Sequence, residues 1–434
     1  MDGFTRDDIE RLVEPDRVHR RLYSDPALFK VEMEKVFGHA WIYVGHDSQI
    51  PNPGDYFTTQ IGLQPVIMVR HTDNTVRVLY NRCGHKGAQL VGDRCGSVKA
   101  FRCCYHGWTF KTDGSLHTIP VRDGYDATQF DPTDPQYGMR SAARVENYRG
   151  FVFASMAADG QDLKTYLGGV IAAIDDMVDR SPEDALEVGT GYFRIIQRSN
   201  WKIFMENLND MMHAVVTHQS SIDASMDQAA ELGEGADTPF ALQILQGNGM
   251  PYSWWKKLGI TVYRNGHSMM DGIVSPKSDD PVYLGYVKSL EQARGVEAAE
   301  RILSINRHNS IVWPSMSLVP SFQQVRVIRP LSVDRTLVEV FNFKLKGAPA
   351  EMYRKTLTYS NVVNSPSSLV MPDDLEAYRR VQDGLTSDAS DWVSQHRDFG
   401  RDAVSDGAHS YVGTSELPFR NQARAWIEYM TGAV

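Results

Sequence analysis

Cysteine is scarce in this chain, four in 434 residues, and neither a long apolar run nor a block of basic residues is present. So thin a cysteine supply suits a reducing compartment. The longest apolar stretches, such as residues 167–174, fall well short of the about 20 residues that a bilayer-spanning helix needs. Residues 1–10 are charged and lack an apolar signal core. A net charge of −9 and a pI near 5.8 are offset by no basic patch, which argues against nucleic acid or an anionic membrane as partner. There is no internal repeat and no low-complexity tract. A soluble cytoplasmic protein is expected. What remains is ordinary globular composition, 42% hydrophobic and 23% charged, in a chain long enough for two domains.

The few cysteines are placed with histidines. Cys83-x-His85 is followed, after 17 intervening residues, by Cys103-x-x-His106. A [2Fe–2S] cluster with two thiolates on one iron and two imidazoles on the other is a Rieske centre. Each pair is short enough for one loop, so the cluster would be gripped between residues 81–87 and 102–108. Gly84, Gly87 and Gly107 let the backbone approach and aim N–H groups at the sulfurs. Zinc also accepts two Cys and two His and stays as the alternative. Its usual finger spacing, however, groups the cysteines together and the histidines together.

Asn81-Arg82-Cys83-Gly84-His85-Lys86-Gly87-Ala88 and Cys103-Cys104-Tyr105-His106-Gly107-Trp108 resemble the two cluster loops of Rieske non-haem iron oxygenases that hydroxylate aromatic rings. The family often has Pro where Cys104 stands, a departure at a non-ligand that leaves a second thiol beside the cluster. The quinol-oxidising Rieske proteins carry an extra disulfide-bonded Cys on each loop. Here Lys86-Gly87-Ala88 follows His85 and Trp108 follows Gly107, and Cys95 has no obvious partner, so the resemblance is to the oxygenase class.

From Trp41 the pattern turns to period two. Residues 66–70 and 76–80 alternate around Thr72-Asp73-Asn74, predicting a hairpin that feeds the first loop. Residues 108–110 and 116–119, parted by Thr112-Asp113-Gly114, predict the hairpin that leaves the second. The fold expected is α+β: a β-rich Rieske domain at 40–155, inserted into a larger catalytic domain made of residues 1–39 plus 156–434. In that larger domain an antiparallel sheet flanked by helices is implied. Asp25-Pro26 reads as a helix start within a helical lead-in. Residues 163–178 turn helical, and 325–328 and 337–345 read as strands joined by Val333-Asp334-Arg335. Residues 288–305 read as one solvated amphipathic helix, and the small, acidic residues 229–237 as a mobile loop.

A Rieske cluster moves one electron, so an oxygenase needs a second metal with open positions for O2, such as two His and one carboxylate. The family's pattern of Asp, His three residues on and a second His five further is matched by Asp210, His213 and His218. Five residues on a straight helix set side chains roughly 140° apart, so one ion can hold both imidazoles only where the helix ends or bulges. An ordinary helix with one buried and one exposed His would carry the same letters. The segment Met371-Pro372-Asp373-Asp374-Leu375-Glu376 looks like the family's carboxylate segment. Its spacing to Gln382 and Gly384 favours Asp374 as ligand, with Asp373 as a helix cap or a support for a ligand. In the family, the Asp equivalent to Asp210 bonds a ligand His and, across a subunit boundary, a cluster His. The resemblance therefore implies that Asp210 joins His213 to His106 of a neighbouring subunit.

The resemblance also implies one [2Fe–2S] cluster and one mononuclear Fe(II) per chain, fed from NADH by a reductase with or without a ferredoxin. It implies a homotrimeric core, with a small β subunit left open. The product would be a cis-dihydrodiol or a phenol. Asn207, Leu208 and Ala214 should line the substrate pocket. Arg326 shares a strand face with Gln324 and Ile328 and would hold a substrate carboxylate if that face looks inward; facing out, it is a surface Arg. Residues 411–416 and 426–432 look more like oxygenases of single-ring acids and amines (salicylate, anthranilate, terephthalate, aniline) than of fused hydrocarbons. A Rieske monooxygenase or demethylase of a non-aromatic substrate is the runner-up, and a plain electron carrier is third.

Overall fold

Period-two alternation produces the hairpin that carries the first loop. In the computed structural model, Gln64–Arg70 pairs antiparallel with Val76–Tyr80. Asp73 Oδ1 holds the turn by accepting from the backbone and side chain of Thr75, and Asn74 takes a left-handed φ of +67°. The second hairpin repeats the device: Asp113 Oδ1 accepts from Ser115 N and Oγ between Thr109–Phe110 and Leu116–Thr118. The structure describes residues 3–233, 236–273 and 278–433.

Two units are formed, residues 37–163 and residues 1–36 with 164–434. The β-rich segment expected at 40–155 lies inside the first. That unit holds one four-stranded and two three-stranded antiparallel sheets. Their core includes Ile67, Val69, Leu79, Phe101 and Phe110, and the two loop cysteines, Cys83 and Cys103, are buried in it. The strands Ile42–His46 and Phe151–Ser155 pair, and Trp41 Nε1 donates to Gln161 O at 2.9 Å, which closes the unit at both ends.

The other unit is built on a nine-stranded antiparallel sheet. The expected strands are longer than their apolar runs, Gln324–Ser332 and Arg335–Leu345, with the turn between them where the sequence placed it. Helix Pro26–Lys35 starts behind Asp25, whose Oδ1 accepts from Ala27 N and Leu28 N. From this helix the fully buried Glu32 reaches three donors: Lys202 Nζ, Trp201 Nε1 at 3.0 Å and Trp426 Nε1 at 2.7 Å. Such a buried charge is held only because it is paired and bonded. It joins helix Pro26–Lys35, helix Leu417–Thr431 and the helix Trp201–Asn207 that leads into the site.

Two expectations are corrected. Residues 288–305 form two helices, Pro281–Arg294 and Val296–Ser304, because Gly295 at φ +84° breaks the run. The segment 229–237 is not a loop at its start: helix Gln219–Glu231 continues through Ala229 and Ala230, alanine being the strongest helix former. Residues 234–235 of that segment lie outside the described residues.

Candidate metal centres and the cavity beside them

The two cysteine–histidine loops share one backbone design. In the first, Cys83 N bonds Ala88 O at 2.8 Å and Gly87 N bonds Cys83 O at 3.0 Å. In the second, Cys103 N bonds Trp108 O at 2.8 Å and Gly107 N bonds Cys103 O at 3.1 Å. Each loop turns through a left-handed glycine, φ +77° at Gly87 and +73° at Gly107. The result brings like donors together across the loops. The thiols of Cys83 and Cys103 are neighbours and both are buried, while the rings of His85 and His106 lie 4.7 Å apart. His106 is exposed and His85 half-buried, its ring stacked on Trp108 at 4.8 Å.

Burial pushes the Cys83 thiol up. At Cys103 burial acts the same way, but the N–H groups of Tyr105 and His106 outweigh it and hold that thiol down. His85 Nδ1 is buried with no hydrogen-bond partner among the described residues. A thiolate pair inside and an imidazole pair outside fit two irons. Tetrahedral zinc would gather all four donors around one point. Among the described residues only one trio brings its donor atoms within 4.8 Å of one another, and it is not in these loops.

That trio is His213, His218 and Asp374, and local helix endings create it. Asn200 caps the helix Trp201–Asn207, its Oδ1 accepting from Lys202 N at 3.1 Å. This helix stops before the histidines. A single turn, Ala214–Thr217, then runs between His213 and His218, and His218 leaves helical geometry at φ −103°, ψ 19°. Ending the turn there is what lets both imidazoles face one point. Their Nε2 atoms lie 3.6 Å and 3.5 Å from the same oxygen, Asp374 Oδ1, which has no hydrogen bond among the described residues.

Asp374 sits in the first turn of helix Met371–Gly384. Gln382 of that helix fixes it to the histidine segment by accepting from Asn200 N at 2.7 Å. Asp373 does not cap the helix. Val370 stands at the cap without a side-chain bond, and Asp373 Oδ2 instead faces His218 Nδ1 at 3.4 Å. Asp210 takes the matching place behind His213, its Oδ2 3.9 Å from Nδ1, and its Oδ1 accepts from Met212 N at 2.9 Å and lies 3.5 Å from Arg397 Nη2. Burial raises the Asp374 carboxyl, against the pull of His213 and His218. A bound dication reverses that balance. Two imidazoles and one carboxylate on one side of an ion form the donor set of non-haem iron sites with open positions.

A cavity of about 370 Å³ opens beside the trio. Asn207, Leu208, Ala214 and Arg326, expected from sequence at the pocket, all line it. Asn207 Nδ2 is 3.1 Å from His213 Nε2. Leu208, Met211, Trp254, Ile273 and Val363 make most of the wall apolar. Arg326 is 5% exposed, so of the two orientations open to it the inward one is realised. Its Nη2 donates to Asn309 Oδ1 and, at 3.4 Å, to Ser317 Oγ; its Nε has no hydrogen-bond partner among the described residues. No described carboxylate pairs with it, whereas Arg329 on the same strand lies 3.7 Å from Glu339. Sequence reasoning missed His308 and Asn309 in this wall, because no spacing or motif marks them.

Comparison with known proteins matches residues 40–131 to the Rieske [2Fe-2S] domain and residues 183–432 to the ring hydroxylating alpha subunit catalytic domain. The toluate 1,2-dioxygenase alpha subunit of Pseudomonas putida is 33% identical over 87% of this chain and 82% of its own. The 2-halobenzoate 1,2-dioxygenase large subunit of Burkholderia cepacia is 31% identical over 87% of this chain and 78% of its own. Among solved structures, naphthalene 1,2-dioxygenase with indole bound superposes with a TM-score of 0.81 at 25% identity, covering 97% of this chain and 93% of that one.

Proposed function

The chain belongs to the ring-hydroxylating oxygenase alpha subunits, and from that premise we propose that its substrate is a monocyclic aromatic acid whose carboxylate is held by Arg326. The protein is a Rieske oxidoreductase with a [2Fe–2S] cluster and a mononuclear iron that hydroxylates aromatic rings. In the assignment proposed here, Cys83, His85, Cys103 and His106 hold the cluster, and His213, His218 and Asp374 hold the single iron. When bound, these groups supply the electrons and the O2 activation that the reaction needs.

The residues do the rest. His213, His218 and Asp374 occupy one side of the ion and leave the other side to the cavity. Leu208, Ala214 and Met211 keep water from that side. Asn207 presents an amide donor beside the trio. Asp373 and Asp210 fix the two imidazoles from behind. Asp210 also receives His106 of the partner subunit, which makes an oligomer, a homotrimer with or without a small β subunit, obligatory for turnover. Electrons come from a cytoplasmic NAD(P)H-dependent reductase, directly or through a ferredoxin.

The observation that carries the acid reading is the buried Arg326 cation, which lines the cavity of the trio with no carboxylate to pair it among the described residues. A desolvated guanidinium wants a planar anion, and an aromatic carboxylate supplies one. The test compares turnover of benzoate and of benzene by the wild type and by Arg326→Leu. Loss of a charged hydrogen bond should raise KM for benzoate by about 10-fold or more relative to benzene. An unchanged ratio, or a wild type that oxidises no aromatic acid, contradicts the reading.

A further inference from the structure

One polar side chain of the cavity wall has no role in holding its neighbours. His308 lines the cavity, and neither of its ring nitrogens has a hydrogen-bond partner among the described residues. It is nonetheless held: its backbone N–H donates to Met270 O at 2.9 Å and its ring meets Phe322 edge-on at 6.3 Å. The next residue is fully used. Asn309 Oδ1 accepts from Arg326 and its Nδ2 donates to Leu208 O at 2.7 Å. Two consecutive residues therefore set an imidazole beside the guanidinium in one wall. Burial, and after it the Arg326 charge, hold His308 down at about 3. The ring is neutral at physiological pH and offers one N–H and one lone pair.

We infer that His308 reads a second polar substituent, a hydroxyl or amino group on the ring carbon next to the carboxylate that Arg326 holds. The inference rests on the aromatic-acid reading above. A buried imidazole without a partner is costly, and a group that both donates and accepts meets it, whereas a hydrogen or methyl leaves it unpaired. Sites built around such a bond discriminate against analogues that lack it. Ring acid and ring amine then cease to be alternatives, since one substrate can carry both groups.

The test is a competition. Holoenzyme with all its iron is reduced chemically and given O2 with equimolar benzoate and 2-hydroxybenzoate, then benzoate and 2-aminobenzoate, and the products are counted. The wild type should favour at least one of the two substituted acids about tenfold, the worth of one neutral hydrogen bond. With 4-hydroxybenzoate the advantage should vanish. His308→Leu should bring the ratio toward one, and His308→Gln, which keeps a donor and an acceptor, should restore part of it. Equal partition by the wild type, or a preference that survives His308→Leu, overturns the inference. If His308→Leu does not fold, the wild-type ratios and His308→Gln decide. Failure of the underlying reading looks different: no acid is oxidised at all, or Arg326→Leu leaves the acids unaffected.

Discussion

The two proposed metal-binding regions are built by opposite means. The cluster loops are local: each closes on itself through the same pair of backbone bonds and the same left-handed glycine, and the sequence distance between them is short. The trio is not local. Two imidazoles come from a broken helix and the carboxylate from a helix more than 150 residues further on, held in place by Gln382 on Asn200. A site built from loops announces itself as a motif. A site built from helix endings depends on everything that positions those helices.

That contrast can be broken one side at a time. The largest effect is expected at the proposed ligands. Asp374→Ala should lower iron from about three to about two per chain and abolish oxygenation, a loss above about 10³-fold, while the cluster's visible absorption persists. His85→Ala should do the reverse, bleaching the cluster and leaving the single iron. Loss of both metals from either variant would show that the two regions are not independent.

Glu32→Ala comes next. It leaves Lys202 as an uncompensated buried cation and strips the acceptor from Trp201 and Trp426. A destabilisation of about 3–5 kcal/mol is expected from denaturant unfolding, with the cluster spectrum intact in buffer. A change under 1 kcal/mol, on the order of an exposed ion pair, would mean the network does not hold the site.

The smallest effect is at Asp373. Removing the acceptor behind His218 should weaken iron binding about tenfold, measured by chelator competition on Asp373→Ala, with the cluster unaffected. Iron affinity equal to the wild type would mean that Asp373 does not support His218.

Legibility in the sequence follows the same divide. The four proposed cluster residues stand out in the sequence because cysteine, histidine, glycine and turn lie within a few residues of one another. His213 and His218 could be read as a pair, together with the requirement that the helix end between them, which the structure meets at His218. Spacing to Gln382 and Gly384 favoured Asp374 over Asp373, and Asp374 is the acid that joins the histidines; whether Asp373 caps the helix or supports a ligand stayed open, because adjacent residues point different ways only once the helix is docked. The direction of Arg326 was open for the same reason: strand alternation gives a face but not what covers it. Gly295 breaks the helix, but the amphipathic pattern of residues 288–305 runs across it without a change of period. Ala229 and Ala230 are helix formers that acidic neighbours disguised as loop. His308 left no trace, since its meaning comes from Arg326 and Asn309 beside it in the cavity.

The most direct test of the central claim is single turnover under ¹⁸O2 with chemically reduced wild type and Asp374→Ala, offered a panel of aromatic acids, amines and hydrocarbons. Labelled oxygen on the ring of an aromatic acid from the wild type, and none from Asp374→Ala despite a reducible cluster, is the expected result. Labelled acid from Asp374→Ala, or a fully iron-loaded wild type that oxidises its cluster without labelling any acid in the panel, would contradict it.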